Sequence, residues 1–253
     1  MATLRQLRTR VASISNIQRV TNAMYMVAAA KMRRAQEAIE SARPYAEQLD
    51  LTLRRLQGSI ESGHPLFQQR PVEHLAAVVV TADRGLCGGF NGNVGRRARV
   101  ELESHADVDV ELITVGRKGR DFLRNRGFDA AQHHADVFRQ LEFAQAASIA
   151  QQLTADFAAG KVDRVLLIYS EFRSVANQVP VVQQLLPIVA AEDEGGEVAA
   201  GNYIFEPGPE QLLEALVPRH VNFQVWRALL ETNAGFFAAQ MTAMDNATKN
   251  AGD

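Results

Sequence analysis

The chain has few of the features that mark secreted, membrane-spanning or disulfide-bonded proteins. Only one of its 253 residues is a cysteine, Cys87, which excludes an internal disulfide framework and fits a reducing compartment. No apolar run approaches 18 residues, so no transmembrane helix is expected. The start, Met-Ala-Thr-Leu-Arg, contains no hydrophobic segment of a secretory signal, and we expect it to be an intact start.

Acidic residues are absent from the first 36 positions, although the whole chain has a net charge of −2. This stretch carries seven basic residues: Arg5, Arg8, Arg10, Arg19, Lys31, Arg33 and Arg34. It is either a solvated helix face or a surface directed at an acidic partner. Nucleic acid or anionic lipid is a weaker third alternative, because the basic residues are spaced out and the overall charge is not basic.

Apolar residues recur at alternating steps of three and four over the first 60 residues. The positions are Leu4, Leu7, Val11, Ile14, Gln18, Thr21, Tyr25, Ala28, Met32, Ala35, Ile39, Ala42, Ala46, Leu49, Leu53, Leu56 and Ile60, and only Gln18 and Thr21 are clearly polar. This period predicts a coiled-coil seam on one helix about 85 Å long. A second apolar row (Ile17, Val20, Met24 and Val27) predicts that two sides of the helix contact protein there. Pro44 is expected to bend the helix without ending it.

The middle of the chain changes to the pattern of an α/β domain. Short apolar runs predict buried strands at 75–81 and 164–170, and the pattern at 108–115 predicts a further strand between them. Helical patterns between them lie at 93–105, 117–126 and 141–159. The segments 179–188 and 202–205 are candidate edge strands, the first because Pro180 and Pro187 cannot donate to a ladder. The alternation predicts a Rossmann-like domain with a mainly parallel sheet.

A second long amphipathic helix, of roughly 45 residues, begins at Gly208-Pro209. Trp226 and Phe237 lie on or beside its apolar stripe and are expected to pack. Phe236 lies off the stripe, which leaves a contact with a partner open. The predicted fold class is α/β: an antiparallel coiled coil of helices 1–60 and 208–253, with the α/β domain 61–207 at one end.

The most enzyme-like stretch is the glycine-rich segment from Asp83 to Gly92, between a predicted strand and a helix. It matches neither phosphate-loop pattern, so a structural or interface turn is favoured, with Cys87 as a lone candidate nucleophile. Gly116-Arg-Lys-Gly119 could cradle an anion, but a turn with a solvated helix start is favoured. The six histidines include no His-x-x-x-His pair. No catalytic residue, metal site or cofactor is therefore predicted.

Several segments, all in one order, resemble the γ subunit of F-type ATP synthase. They are VTNAMYMVAAAKMRRAQ at 20–36, DRGLCGGFN at 83–91, VGRKG at 115–119, LLPI at 185–188 and AAQMTAMDNATKNA at 238–251. The similarity extends from Leu4 to the last residue. It implies a central-stalk rotor shaft whose paired helices stand inside a ring of three α and three β subunits. The α/β domain would sit, with subunit ε, on the membrane ring of c subunits.

The resemblance also implies what such a shaft does. Proton (or other ion) flow turns it, and it drives the catalytic subunits through open and closed states during ATP synthesis or hydrolysis. Nucleotide sites belong to β and α, so this chain is expected to be non-catalytic, without nucleic acid among its partners. It would be peripheral at the cytoplasmic face of a bacterial inner membrane, with a mitochondrial location less favoured. The partner interface carried over comprises Met24, Lys31, Arg33, Arg34, Asp83, Arg84, Cys87, Gln240 and Met244.

The sequence departs from the family pattern at several positions. The family's last helix usually continues several turns to a tip, so we expect this chain, ending at Asp253, to be either a fragment or a natural variant with a weaker upper bearing. Asn22 and Tyr25 stand at basic family positions. The family has Glu, His and Arg, associated with a transient contact to β, where this chain has Phe236, Phe237 and Gln240. The resemblance therefore does not carry that contact over.

Two other functions stay open on the residues alone. One is a structural coiled-coil adaptor with an α/β head, which would not assemble with α and β subunits. The other is a nucleotide-binding enzyme of the doubly wound type. Tight binding of ATP to the isolated chain would favour the enzyme, and we expect none.

Overall fold

A computed structural model describes residues 3–57, 64–189, 206 and 208–252. Within these residues the α-helices are α1 (Leu4–Gln57), α2 (Phe90–Ser104), α3 (Arg117–Arg124), α4 (Phe143–Ala158) and α5 (Pro209–Asn250). The strands are β1 (His74–Val80), β2 (Asp109–Val115), β3 (Gln132–His134), β4 (Arg164–Phe172) and β5 (Gln178–Leu186). Short 3-10 helices lie at Pro65–Phe67 and Val137–Arg139.

The helices α1 and α5 pair in opposite directions over most of the length of α5. The hydroxyl of Thr248 donates to the hydroxyl of Thr21 at 2.7 Å. The rings of Tyr45 and Phe223 lie 5.2 Å apart. As residue numbers rise along α1, those of the contacting residues fall along α5, so the predicted antiparallel helix pair is confirmed. Pro44 lies inside α1, as expected from the resumption of the seam after it.

The seam is buried over only part of α1. Its later positions lie in the core: Ala28, Ala35, Leu49, Leu53 and Leu56. The first four positions are exposed: Leu4, Leu7, Val11 and Ile14. The reason is the reach of the described part of α5, since Gly252 lies beside Gln18 and no described residue of α5 lies opposite the earlier turns. The periodicity was therefore right, but the early turns have no partner helix within the described chain.

One five-stranded sheet, in the order β3-β2-β1-β4-β5, forms the centre of the head. The pairs among β1 to β4 are parallel, and β5 runs antiparallel to β4 at one edge. Pro180 lies in β5, as the edge assignment of the first candidate segment predicted. The strand β3 was not predicted, because three residues are too few to show a period of two. The other candidate edge strand, 202–205, lies outside the described residues.

The core has one layer on each face of the sheet, because alternate residues of a strand point to opposite faces. Ala76, Val78 and Val80 of β1 pack with α4, the first half of α5 and the end of α1. Ala77 and Val79 pack with α2 and α3 on the other face. The sheet is thus covered on both faces, as a parallel sheet requires. The helix pair is built into this core and not merely attached to it.

A third cluster joins the head to the middle of α5. It contains Ala82, Cys87, Phe90 and Phe236, all buried. The ring of Phe236 lies 6.3 Å from that of Phe90. A methyl group on Gly235 would come within 2.9 Å of the Phe90 ring, so α5 and α2 approach closely here. Phe236, left open as a partner contact, is therefore buried against the chain's own head, which the helical stripe did not reveal.

Candidate partner interface

Asn91 organises the glycine-rich segment after β1. Its side-chain oxygen accepts the backbone N–H of Ala82 at 3.0 Å. Its side-chain nitrogen donates to the carbonyl of Arg84 at 3.0 Å and to the sulfur of Cys87 at 3.2 Å. Leu86, with a left-handed φ of 62°, is exposed at the tip of this loop. These bonds make the loop a fixed turn that presents a leucine to solvent.

The N-terminus of α3 is capped by the chain's own acceptors. Asp83 accepts the backbone N–H of Arg117 at 3.2 Å, and Ala82 accepts that of Lys118 at 3.1 Å. The hydroxyl of Thr81 accepts the backbone N–H of Gly119 at 2.7 Å. These donors would have to be released before they could bind an added anion. The geometry therefore favours the structural interpretation of this turn over an anion cradle.

Asp83 also ties the end of β1 to the 3-10 helix that follows β3. Its carboxylate accepts the backbone N–H of Asp136 at 3.2 Å. The guanidinium of Arg117 donates to the carboxylate of Asp136, and this bond raises the pKa of Arg117. The segment from Asp136 to Arg139 is thereby held beside the glycine-rich loop, where it faces α1 and α5.

An open cleft of about 460 Å³ lies between this assembly and the helix pair. We call it the shaft–head cleft. It brings together five of the nine residues predicted for the partner interface: Met24, Lys31, Asp83, Arg84 and Gln240. The ammonium of Lys31 lies 5.3 Å from the centre of the Phe237 ring, within the range of a cation–π contact.

The other four predicted residues lie outside this cleft. Arg33 and Arg34 are exposed on α1, further toward the head. Met244 is buried in the chain's own structure. Cys87 is only 3% exposed, and burial raises the pKa of its thiol, which disfavours the reactive thiolate at neutral pH.

Several cleft residues were not singled out from the sequence, among them Asp136, Phe138, Arg139 and Thr232. The first three belong to a single turn after a three-residue strand, and such a turn has no periodicity to read. Thr232 is fully buried on α5, and its hydroxyl has no hydrogen-bond partner among the described residues. A lone threonine within an otherwise apolar helix face was the only available sign of it.

A second buried polar group lies where α5 crosses the sheet. Arg227 donates to the carboxylate of Glu231 at 2.7 Å and lies 4.0 Å from that of Glu171. The other carboxylate oxygen of Glu231 is buried without a partner in the described structure. Burial raises the pKa of Glu231 despite the favourable contact with Arg227. This cluster couples the helix pair to β4 through charge as well as packing.

In the described part of the chain, no three His, Cys, Asp or Glu side chains are grouped so that they could hold a metal ion. None of the described helices is both long and apolar enough to cross a membrane. The fold and the cleft together define a class of protein: a long antiparallel helix pair built into an α/β head, with an open cleft between the helices and the adjoining loops.

Comparison with known proteins identifies the family. A family model described as ATP synthase matches residues 3–253. The ATP synthase gamma chain of Pelotomaculum thermopropionicum is 46% identical over the whole of this chain and 89% of the relative. The gamma chain of Anaeromyxobacter sp. is 45% identical over 99% of this chain and 88% of the relative. The chain belongs to the ATP synthase gamma chain family.

Solved structures agree with the fold. The central stalk and c-ring structure of the mitochondrial ATP synthase of Tetrahymena thermophila contains a chain that is 26% identical, with a TM-score of 0.66. That match covers 90% of this chain and 99% of the other. A chain of the Euglena gracilis mitochondrial ATP synthase rotor has a TM-score of 0.69 at 20% identity, over 98% of this chain and 91% of that one. The second likeness bears on the fold alone.

Proposed function

We propose that this chain is the central-stalk γ subunit of an F-type ATP synthase, a rotor shaft that couples transmembrane ion flow to ATP synthesis or hydrolysis. Catalysis would take place on partner β subunits, arranged with α subunits in a ring of three each. The chain would also contact subunit ε and the membrane c-ring. The bacterial gamma chains among its relatives support a peripheral position at the cytoplasmic face of a bacterial inner membrane.

The proposed organisation has three parts. Residues 1–60 and 208–253 form the shaft, and residues 61–207 form the head that would meet ε and the c-ring. Burial of Leu49, Leu53 and Leu56 of α1 in the core of the head supports this division, because torque applied to the head would reach the shaft through packed side chains.

One observation of the geometry carries the proposal: α1 exposes an apolar row on its basic, acid-free half. Ile17, Val20 and Val27 are 54%, 58% and 56% exposed. Such a row marks a protein contact that the chain itself does not supply. Small and apolar side chains with a few basic ones suit a shaft, because it must slide past three similar surfaces without locking onto any of them.

The partner interface is assigned residue by residue. We propose that Met24, Lys31, Arg33 and Arg34 face the ring, because they lie on the acid-free half of α1. Asp83 and Arg84, with Cys87 buried beneath them, would place the exposed loop tip near the lower lobes of the catalytic subunits. Residues Gln240 and Met244 of α5 complete the set, of which Gln240 lines the shaft–head cleft.

Charge reversal tests this assignment. The double variant Arg33→Glu/Arg34→Glu, assembled with matching α, β and membrane subunits in vesicles, should hydrolyse ATP but pump fewer ions per ATP. The cause is the loss of attraction to acidic patches on the ring. The matched control is Arg124→Glu/Arg126→Glu, which makes the same charge change at exposed positions at and just beyond the end of α3. Unchanged pumping by the first variant would contradict the assignment.

A further inference from the structure

We propose that the shaft–head cleft binds an amphipathic organic anion of about the size of a two-ring aromatic sulfonate or carboxylate, carrying a hydrogen-bond donor. This goes beyond the rotor function, because it assigns a small-molecule site to a chain whose proposed contacts are all with proteins. Three properties of the cleft support it: its apolar wall, its excess of positive charge and its unpartnered buried polar atoms.

The wall of the cleft is mostly apolar. Val20, Met24 and Val27 of α1 form one side, and Phe236 and Phe237 of α5 form another. Phe138 contributes a third ring from the head. A volume of about 460 Å³ lies within the range of small-molecule pockets, which are typically about 300–1,000 Å³. Burial of an apolar body here would supply most of the affinity.

The charge around the cleft favours an anion. Lys31, Arg84 and Arg139 line it, and none of them has an ion pair with a described residue. The acidic residues that line it, Asp83 and Asp136, already contact Arg117. With Arg117 included, four cations and two carboxylates therefore lie in or beside the cleft. An anionic head group at the rim would meet the three unpaired cations.

Two polar atoms of the cleft lining are buried and unsatisfied among the described residues. One is the hydroxyl oxygen of Thr232, and the other is Oδ2 of Asp83. A buried polar group without a hydrogen-bond partner is unfavourable. A ligand N–H or O–H donor that reached either atom would offset this cost, which is why the proposed anion also carries a donor.

Binding to the full-length chain tests the proposal directly. The probe is 1-anilinonaphthalene-8-sulfonate, which has two aromatic parts, an N–H and a sulfonate, and its neutral counterpart is N-phenyl-1-naphthylamine. Calorimetric titration should show one site for the sulfonate. The neutral compound should bind about tenfold more weakly, since it lacks the charge that the three cations attract.

Variants locate the site. Ala23 is exposed on α1 and lines the cleft, so Ala23→Phe should fill it and weaken binding of the sulfonate about tenfold or more. Ala30→Phe makes the same change one seam repeat along, outside the cleft, and should bind as the unchanged chain does. Arg84→Gln/Arg139→Gln should weaken the sulfonate and leave the neutral compound unaffected, whereas Arg33→Gln/Arg34→Gln should change neither.

Unaltered sulfonate binding by Ala23→Phe would overturn the proposal and indicate adsorption on the exposed turns of α1. Equal binding of the neutral compound, or no binding of the sulfonate at all, would overturn it as well. Circular dichroism of each variant separates loss of the site from loss of the fold. The titration uses the isolated chain, so its failure is distinguishable from a failure of the rotor proposal, which is tested only in the assembled complex.

Discussion

Thr232 shows how a single side chain departs from the packing around it. Its hydroxyl is fully buried on α5 and lacks a partner within the described structure. Thr232→Val replaces the hydroxyl by a methyl of similar shape, so we expect the free energy of unfolding to rise by about 1 kcal/mol. Urea unfolding followed by circular dichroism measures this. Thr242→Val is the matched control, since Thr242 is exposed on the same helix and donates to the carbonyl of Ala238; it should give no increase.

The raised pKa of Glu231 predicts that the stability of the folded chain depends on pH. Burial raises the pKa of its carboxyl in the folded chain, so the folded state binds the proton more tightly than the unfolded state. The contribution of this group to stability is therefore complete at acid pH and is lost as the pH rises through the raised pKa. Glu231→Gln removes that loss.

The measurement is the free energy of unfolding of both chains from acid to neutral pH. We expect the stability of Glu231→Gln relative to the unchanged chain to increase as the pH rises. Glu47→Gln, at an exposed position of α1, controls for the loss of one negative charge. A relative stability of Glu231→Gln that stays constant or falls with pH would show that the ion pair with Arg227 outweighs the cost of burial.

At the residue scale, contacts between individual side chains were predicted less well from the sequence than the helices and strands were. The packing role of Trp226 was predicted, and its ring makes an edge contact with Phe143 at 5.9 Å. Phe236 lies off the helical stripe, and its burial against Phe90 depends on how the head folds back onto α5. Thr232 and Asp136 come from distant parts of the chain and line the same cleft. No local pattern encodes such a meeting.

Among the elements, α1 divides into a paired and an unpaired part. Leu53 is buried in the core, whereas Leu7, at an equivalent seam position, is half-exposed. Leu53→Ala should therefore lower the free energy of unfolding by about 3 kcal/mol, through lost burial and a residual cavity. Leu7→Ala should change it by less than about 0.5 kcal/mol. Equal effects of the two substitutions would show that the early turns of α1 are packed in the isolated chain.

The elements themselves could largely be predicted. Strict three-four spacing indicated α1, apolar runs indicated β1 and β4, and the segment 108–115, in which polar residues interrupt the apolar ones, indicated β2. These patterns are local consequences of helix and strand geometry. The strand β3 escaped notice because it is short, and it is placed by its pairing with β2 through Ile113 to Val115. The length over which the seam is buried depends on α5, which lies far away in sequence.

At the scale of the whole molecule, two clusters of packed side chains connect the head and the helices. The end of α1 lies in the core beneath the sheet, and the cluster around Phe90 and Phe236 fixes the middle of α5 to the glycine-rich loop. A shaft that transmits torque needs such joints at both of its helices. The overall architecture followed from the sequence because two long amphipathic helices flanking an α/β domain have few ways to bury their stripes. The packed contacts between the head and the two helices could not be predicted from the sequence, because they depend on the tertiary fold.

Rotation of the head relative to the ring is the most direct test of the proposed function. Asp129→Cys gives an exposed attachment point on the head for a bead, while Cys87 is buried and should not be labelled. With matching α and β subunits fixed to a surface and ATP supplied, we predict that the bead turns in one direction and pauses at three positions per turn. ATP hydrolysis by the assembled complex with a stationary or randomly moving bead would contradict the rotor account.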